Sequence, residues 1–597
     1  KEIVVWGEML GAAVPDNHAA MIQEIQKSGG TSYDLKDHQE ILQAYNRFLD
    51  RWKFRTAFPT AEALFTNIGD KCYDFWGRVI ETARLAEAND FLVISGWEST
   101  AIENHSGLLD NLRGFKGNPG LLKKRLSPFR PVIKSRSLVI PVGSAAVLDL
   151  FLLNETGQAH RRTAALALFD PLGNKKTLGT FPIPEWENDR FVYPIADSLV
   201  TPPLNTEGKY RLKLSVGNTA SRAAEETLLV VNPFPESEII YKVGALVHEP
   251  MFIRRLNAFP FVDAEPYREN GSYDVLIAST RLLYGWRSEV DPNREIAGTE
   301  DDFLYHTESW GYWKNLEYDF FNLPKGKVKV TLRFAEVTLK NPGDRIMNVA
   351  INGDTVLKDF DIVATVGGPN IALDTVFVVD APEGTVKITV PKLTVNYAKF
   401  SAIKVEAGDS VIAINCGGKA YTDKNGLVWK PYRAALNLDE SVLGKVRDGI
   451  PLLLLPDGAE AADAYGKALG KAGTFQYLGH VGNVRASWMG AWFFVRAHPV
   501  FAGLPVNQAM KSYYQVPVSG SDGLLLDGEN VEVFVGYGRD HDRNIGAAAF
   551  TARLGKGKIL FFTLPGMVRN PNGKQAGIHP VILKRLLSNS IRYLCGE

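Results

Sequence analysis

Residues 91–118 read FLVISGWESTAIENHSGLLDNLRGFKGN, and the interpretation of the N-terminal part of the chain depends on this stretch. The run Phe91–Ile94 is typical of a buried strand, and the chain then breaks at a Ser-Gly pair and presents Trp97 and Glu98. Parallel barrels bury their strands on both faces, and the carboxyl ends of the strands open into the active-site mouth. The stretch therefore favours a barrel strand that delivers an aromatic ring and a carboxylate to a site. An ordinary exit from a strand into a polar loop would account for the same residues.

A second strand and several helices precede this stretch. Residues 2–8, EIVVWGE, predict a short buried strand that ends at Glu8. Apolar residues at helical spacing predict helices over residues 19–27, 37–52 and 70–88. The order strand, helices, strand is a βαβ pattern, but two strands cannot close a barrel. We therefore expect the remaining strands to lie in a polypeptide upstream of Lys1.

Composition limits the classes of function. The chain has 597 residues, which predicts roughly four domains at about 150 residues each. Its 67 basic and 67 acidic residues balance, so charge gives no reason to expect a nucleic acid or a membrane surface as a partner. No apolar run approaches the roughly 20 residues that cross a bilayer, and we expect no membrane span. Cys72, Cys416 and Cys595 have neither metal-ligand nor redox spacing, and we expect no metal and no cofactor.

The sequence pattern changes at three later points, which we interpret as domain boundaries. Residues 131–235 contain short alternating strands separated by turn signals, as in an immunoglobulin-like β-sandwich. Residues 236–282 and 436–597 alternate strands with helices and predict one split α/β domain, flavodoxin-like or amidotransferase-like in type. Residues 283–435 are β-rich and predict an inserted β-sandwich. The expected fold is multidomain, α/β plus all-β, with residues 1–130 forming the end of a (β/α)8 barrel.

The stretch ISGWESTAIENHSGLLDN (residues 94–111), with CYDFWGRVIETARLAEAND before it (72–90), resembles the last barrel strand of glycoside hydrolase family 2. That family includes β-galactosidases and β-glucuronidases. The resemblance covers about residues 1–130, and the following sandwich takes the place of a family accessory domain. It implies hydrolysis of β-glycosidic bonds with retention, which uses two carboxylates about 5–5.5 Å apart.

The same resemblance implies roles for individual residues. Trp97 matches the tryptophan that floors the sugar subsite, and Glu8 occupies the position of the catalytic nucleophile. The acid/base glutamate would lie upstream of the chain, with Glu98 or Glu103 as the alternative source of a second carboxylate. The loop after Trp97 offers substrate contacts at Glu98, Glu103, Asn104 and His105. His105 could equally cap the loop.

The inserted segment resembles malectin, a β-sandwich that binds carbohydrate. The similarity is carried by GTEDDFLYHTESWG (298–311), LRFAEV (332–337), RIMNVAINGDTVLKDFDI (345–362) and INCGGKAYTDKNGLVW (414–429). The last of these is normally the first strand of malectin, so the domain resembles a circular permutant. The resemblance implies sugar contacts at Tyr305 and Tyr421, whereas Thr338 and Leu339 replace the aromatic pair of the family. The aromatic residues of this segment could also be ordinary sandwich core.

The split α/β domain resembles class I glutamine amidotransferase-like domains in its strand pattern. Those enzymes need a nucleophilic cysteine on a sharp turn between strand and helix, with a histidine partner. None of the three cysteines has such a context, so we expect no amidase activity.

These observations lead us to expect the C-terminal part of a β-glycosidase, β-galactosidase-like, that acts on oligo- or polysaccharides. The resemblance implies a secreted or periplasmic protein with a carbohydrate substrate. An upstream polypeptide would complete the barrel, and self-association into a homo-oligomer is left open. The alternative is a protein of another class, a carbohydrate-binding scaffold without catalysis.

Overall fold

The computed structural model of the protein describes most of the chain, namely residues 4–9, 14–30, 34–86, 89, 91–94, 107–217, 223–247, 250–280, 286–289, 293–311, 316–320, 323–431, 438–481, 490–515, 523–539, 542–568 and 577–597. The chain forms two compact units. The larger contains residues 1–279 and 436–597, and the smaller contains residues 280–435. The described residues form several β-sheets and some helices, a multidomain fold rich in β-structure. No helix in this part of the chain is both long and apolar enough to cross a bilayer.

The larger unit begins with a two-stranded parallel sheet. β1 (Val5–Met9) pairs with β2 (Phe91–Ile94), with Val5 opposite Phe91 and Met9 opposite Ile94. Between them lie α1 (His18–Lys27), α2 (Leu35–Arg51) and α3 (Ala61–Arg84). Thr60 caps the start of helix α3, and its hydroxyl oxygen accepts the amide N–H of Ala63 at 3.1 Å. Its apolar face, with Leu64, Ile68, Trp76 and Ile80, is buried in the core.

The predicted strands are found at Val5–Met9, in the described part of the first stretch, and at Phe91–Ile94, but the prediction that these strands are buried is wrong. The side chains of Val5, Trp6, Phe91 and Val93 are 56%, 42%, 58% and 48% exposed. The reason is that a parallel sheet buries both faces only when neighbouring strands and covering helices are present. Here two strands pair with each other, and the described residues form no barrel.

A β-sandwich follows a short helix, α4 (Gly120–Lys123). Its strands are β3 (Phe129–Ser135), β4 (Val139–Pro141), β5 (Val147–Asn154), β6 (Thr163–Phe169), β7 (Lys175–Pro182), β8 (Val192–Val200), β9 (Gly208–Val216) and β10 (Ala223–Val231). They form one sheet in the order β4-β10-β9-β6-β7 and another in the order β3-β5-β8. Alternate residues point inward because successive side chains of a strand lie on opposite faces, and Leu150, Leu166, Leu212 and Leu228 form the core.

The chain then starts a second sheet of the larger unit. Its first elements are β11 (Tyr241–Val247), α5 (Pro250–Leu256), β12 (Val262–Pro266) and β13 (Val275–Ser279). Strands β12, β11 and β13 are parallel neighbours. Every residue of β13 is buried, as expected for an interior strand of an α/β sheet.

The smaller unit is built from short strands. They are β14 (Trp286–Glu289), β15 (Thr307–Gly311), β16 (Glu317–Phe320), β17 (Gly326–Phe334), β18 (Ile346–Ile351), β19 (Asp354–Phe360), β20 (Leu373–Ala381), β21 (Val386–Thr389), β22 (Leu393–Val395), β23 (Ala398–Phe400), β24 (Ala402–Ala407), β25 (Ser410–Asn415), β26 (Tyr421–Thr422) and β27 (Val428–Pro431), with the short helices α6 (Phe303–His306) and α7 (Ile362–Val366). The longest described sheet has the order β20-β17-β24-β25-β27-β26. Val330, Leu332, Val349 and Ile388 belong to one buried core of this unit.

The chain returns to the larger unit through α8 (Glu440–Asp448). The remaining elements are β28 (Leu452–Leu454), α9 (Ala459–Lys471), β29 (Gln476–Val481), β30 (Ala491–Val495), β31 (Gln508–Ala509), β32 (Gly523–Asp527), β33 (Glu532–Arg539), β34 (Gly546–Leu554), β35 (Gly557–Phe562) and α10 (Pro580–Cys595). Strand β28 inserts between β13 and β35, parallel to both. The sheet continues antiparallel through β34, β33, β30 and β31. One sheet is therefore assembled from two segments that are distant in the sequence.

Candidate functional site

In the smaller unit, aromatic rings and carboxylates lie together near the start of β26. The ring of Tyr421 stacks on that of Phe303, with centroids 5.1 Å apart, and both side chains are half-buried. The Tyr421 hydroxyl donates to Asp301 Oδ1 at 2.8 Å, and the amide of Lys424 donates to the same oxygen at 3.1 Å. Burial and the hydrogen bond to Asp301 raise the pKa of Tyr421 to about 12. Tyr421 is thus held as a neutral phenol with part of its ring accessible.

Tyr305 lies deeper and belongs to a connected series of polar contacts. Its side chain is 2% exposed, and its hydroxyl donates to Asp374 Oδ1 at 2.5 Å. Arg333 forms an ion pair with Asp374, with Nε 3.2 Å from Oδ2, and its guanidinium carbon lies 4.5 Å from the ring centroid of Trp429. Burial, followed by the negative charge of Asp374, raises the pKa of Tyr305 well above its ordinary value. The carboxylate of Asp374 is 39% exposed and is the accessible end of the series.

Trp429 links this series to the turn that follows Tyr421. It is fully buried, and its indole N–H donates to Asp423 Oδ2 at 2.9 Å. Burial opposes ionisation of Asp423, but the hydrogen bonds from Trp429 and from the amides of Asn425 and Leu427 keep its pKa below the usual range. The carboxylate therefore fixes the turn and orients the tryptophan.

A second buried network supports the turn at Thr338 and Leu339. Glu336 Oε1 accepts the amides of both residues at 3.0 Å, and Glu336 Oε2 lies 2.7 Å from Arg345 Nε. Lys399, which is fully buried, pairs with Glu308 and lies 4.0 Å from Glu336. Burial raises the pKa of Glu336, but Lys399 and Arg345 outweigh it and the net shift is downward. The turn at Thr338 and Leu339 is therefore held in place by the ionised side chain of Glu336.

In the larger unit, Glu8 is the residue before the last residue of β1. Because β1 and β2 are parallel and Met9 is opposite Ile94, the carboxyl ends of the two strands are level. Trp97, Glu98, Glu103, Asn104 and His105 lie outside the described residues, so their roles stay predictions.

The segments that follow β1 and β2 are joined by a buried ion pair. Lys116 Nζ lies 3.0 Å from Asp16 Oδ1 and donates to the Val14 carbonyl at 3.1 Å, and both charged side chains are fully buried. A buried ion pair depends on close partners, since an isolated charge in the interior is costly. The pair therefore fixes residue 16, after β1, against residue 116, after β2.

Two buried histidines lie beside this pair. His18 Nδ1 is 2.8 Å from His38 Nδ1, which requires one ring to donate and the other to accept. His38 Nε2 lies 3.5 Å from Asp34, and Asn111 donates to Asp34 at 3.4 Å. Sequence reasoning missed this cluster because its members are spread over residues 16–116 and form no compact motif. Within the described parts of the chain, no group of histidine, cysteine and carboxylate side chains is arranged to hold a metal ion.

The comparisons with known proteins bear on the smaller unit. The model of the malectin domain matches residues 263–405, a range that includes most of this unit and also residues 263–279 before it. Malectin-B of Xenopus laevis is 35% identical over 68 residues, which are 11% of this chain and 24% of that protein. The matched stretch thus spans about a quarter of the curated relative.

Solved structures align with low scores. A β-glucuronidase of Bacteroides uniformis aligns at 14% identity and a TM-score of 0.19, over 61% of this chain and 44% of that chain. The ANX2 ectodomain of Arabidopsis thaliana aligns at 11% identity and a TM-score of 0.20, over 45% of this chain and 82% of that chain.

Proposed function

We propose that the smaller unit binds carbohydrate at the surface formed by Phe303, Tyr421 and Asp374. The observation that supports this best is the malectin-domain match, since malectin-type domains are carbohydrate-binding. The half-buried Tyr421–Phe303 stack offers an apolar ring surface for sugar C–H groups. Asp374, with its exposed carboxylate, offers an acceptor for sugar hydroxyls. A few fixed polar groups beside aromatic walls are the usual composition of a small-molecule site.

The test is calorimetric titration of the whole chain with glycans selected from an array of neutral oligosaccharides. Tyr421→Ala removes the half-buried ring, and Asp374→Asn removes the carboxylate charge while keeping its shape. Each is expected to weaken binding at least tenfold. The matched control is Phe191→Ala, because Phe191 is a 52% exposed aromatic residue of the larger unit. The proposed site would be ruled out if both variants bound glycan with unchanged affinity, or if the folded chain bound no glycan.

A second candidate function is hydrolysis of β-glycosidic bonds, with Glu8 as the nucleophile. It is favoured by the parallel pairing that sets the ends of β1 and β2 level, because barrels collect their catalytic groups at the carboxyl ends of strands. In this proposal Trp97 floors the sugar subsite, and Glu98, Glu103, Asn104 and His105 form its rim. Glu8 would attack the anomeric carbon, and a second carboxylate would protonate the leaving oxygen.

We further propose that strands of another polypeptide segment complete the barrel beside β1 and β2. The exposed side chains of Val5, Trp6, Phe91 and Val93 support this, since two isolated parallel strands leave apolar surface in water. Amide hydrogen exchange tests it directly. Strands β1 and β2 should exchange slowly in the protein isolated from its source and fast in the chain of residues 1–597 alone. Equal exchange in both would contradict a completed barrel.

Catalysis is tested with nitrophenyl β-glycosides and the protein as isolated from its source. Glu8→Gln is expected to lower turnover at least a thousandfold, because a retaining mechanism has no substitute for its nucleophile. The control is Glu24→Gln, an exposed glutamate of α1. Full turnover in Glu8→Gln would exclude Glu8 as the nucleophile. If the wild-type protein turned over no glycoside, carbohydrate binding would be the only proposed function that remains. A secreted or periplasmic location is part of the same proposal and is tested by cell fractionation.

A further inference from the structure

A cavity of about 600 Å³ in the larger unit has an excess of positive charge on its walls. Its lining contains five cationic and two acidic residues, the cations being Arg51, Lys53, Arg496, Arg553 and Lys558. The chain as a whole has 67 basic and 67 acidic residues, so this excess is local. The volume lies within the roughly 300–1,000 Å³ that is usual for small-molecule sites.

Two of these cations face each other directly. Arg553 on β34 is the register partner of Lys558 on β35, so their side chains start from the same face of the hairpin. Directly opposed side chains of an antiparallel pair have Cβ atoms about 4.5–5.5 Å apart, and like charges in this position are destabilising. Burial, followed by the charge of Arg553, lowers the pKa of Lys558. The hairpin thus holds an unfavourable pair of charges at the wall of the cavity.

Glu532 offsets this repulsion only in part, since its charge acts on Lys558 without forming an ion pair with it. Glu532 Oε1 lies 2.9 Å from Arg496 Nη2 and is committed to that arginine. The charge of Arg51 is paired with Asp527, which does not line the cavity. Its Nε donates to Asp527 Oδ1 at 3.0 Å. Arg553 and Lys558 have no carboxylate within ion-pair distance in the part of the chain that the structure describes. The Lys558 ammonium instead lies 4.1 Å from the ring centroid of Tyr593, which holds it beside the cavity.

We propose that this cavity binds a small molecule through an oxyanion, a carboxylate, sulfate or phosphate group, placed between Arg553 and Lys558. The guanidinium group presents two parallel N–H donors to two oxygens, and the ammonium adds a point charge. The anion would turn the repulsion between the two cations into two attractions. The site lies in the larger unit and does not depend on carbohydrate binding by the malectin domain.

The test measures thermal unfolding and calorimetric binding of the full chain with inorganic sulfate, inorganic phosphate and glucuronate. Sodium chloride at equal ionic strength and neutral glucose serve as controls. At least one oxyanion is expected to raise Tm saturably and beyond the effect of chloride. A response to glucuronate alone would identify a carboxylated sugar as the source of the anion, and a response to phosphate or sulfate alone would identify an inorganic or esterified group.

The variant Arg553→Gln/Lys558→Gln separates the proposed site from general salt effects. Its affinity for the oxyanion should fall at least tenfold, while its Tm without ligand should rise because the repulsion is gone. The variant Lys467→Gln/Lys471→Gln, which removes two exposed cations of α9, should respond like the wild type. The proposal is overturned if no oxyanion stabilises the protein beyond chloride, or if the Arg553→Gln/Lys558→Gln variant binds as the wild type does.

Discussion

The Arg125 guanidinium lies 2.8 Å from one carboxylate oxygen of Glu81, and Arg130 Nε donates to the other. Glu81 belongs to α3 and Arg130 to β3, so this carboxylate joins the helical N-terminal region to the β-sandwich. Glu226 of β10 extends the network by pairing with Arg78 and Arg125. The side chains of Glu81, Arg125, Arg130 and Glu226 are at most 7% exposed. Buried charges of this kind are tolerated only when every charge has its partner, because an unpaired charge in the interior is strongly destabilising.

Removal of one member should therefore be costly. Glu81→Gln leaves two buried arginines without their shared carboxylate, and we expect a loss of about 3–5 kcal/mol in the free energy of unfolding. Urea denaturation followed by circular dichroism measures it. The control is Glu185→Gln, which breaks an exposed pair with Arg162 and should cost less than about 1 kcal/mol. Similar losses in the two variants would mean that the buried network contributes no more than a surface pair.

His579 should make the stability of the larger unit depend on pH. Burial lowers its pKa from 6.5 to about 4, and its Nδ1 accepts the amide of Val581 at the start of α10. Because the folded pKa lies below the unfolded one, the unfolded state binds the proton first. The contribution of His579 to stability is then constant above about pH 6.5, falls as pH drops from 6.5 to about 4, and is constant again below that. The full difference is at most about 3.4 kcal/mol, at roughly 1.36 kcal/mol per pKa unit.

His579→Asn keeps a side chain that can cap the helix but does not titrate. Its free energy of unfolding should change less than that of the wild type between pH 7 and pH 4.5. His480→Asn, at a histidine whose side chain is 39% exposed, is the matched control. If His579→Asn and the wild type showed the same pH profile, the buried imidazole would not be the titrating group.

Tyr305→Phe distinguishes a structural role of this tyrosine from sugar contact. The buried hydroxyl donates to Asp374, and loss of a hydrogen bond to a charged group costs about 1.5–3 kcal/mol. We expect that loss in the thermal or urea stability of the smaller unit, with glycan affinity reduced less than threefold. A large loss of affinity at unchanged stability would make Tyr305 a direct sugar contact instead.

Thr338→Tyr/Leu339→Phe should strengthen glycan binding. The turn is held by Glu336, and the substitution places two rings where the resembled family has aromatic residues. An exposed aromatic pair adds stacking surface, so affinity should rise at least threefold in calorimetric titration. Lys340→Ala, at the next exposed position, should leave affinity unchanged. Unaltered binding in the double variant would place the ligand elsewhere on the unit.

The sequence predicts the helices and strands of this protein better than it predicts which residues pack against them. The helix expected at residues 19–27 is found at His18–Lys27, because its signal is a local apolar period. The exposure of Phe91 was not predictable, since burial depends on which strands lie beside it. The hydroxyl of Tyr305 donates a hydrogen bond to Asp374, which is 69 positions away in the sequence. A local sequence pattern cannot predict a partner at that distance. Asp374 and Phe303, which belong to the proposed carbohydrate surface, were not predicted from the sequence for the same reason.

The interrupted sheet has a consequence for synthesis. Leu276 of β13 pairs with Leu452 of β28, although 176 positions separate them (452 less 276). A ribosome that adds about 5–20 residues per second needs roughly 10–35 seconds to make the intervening chain. During that interval the apolar edge of β13 has no neighbour on one side. Strand β13 leaves the ribosome before the inserted segment, and β28 leaves after it. If the inserted segment were unfolded, a long flexible loop would have to close before β13 and β28 could pair. Early folding of the inserted segment shortens that loop and therefore favours assembly of the sheet.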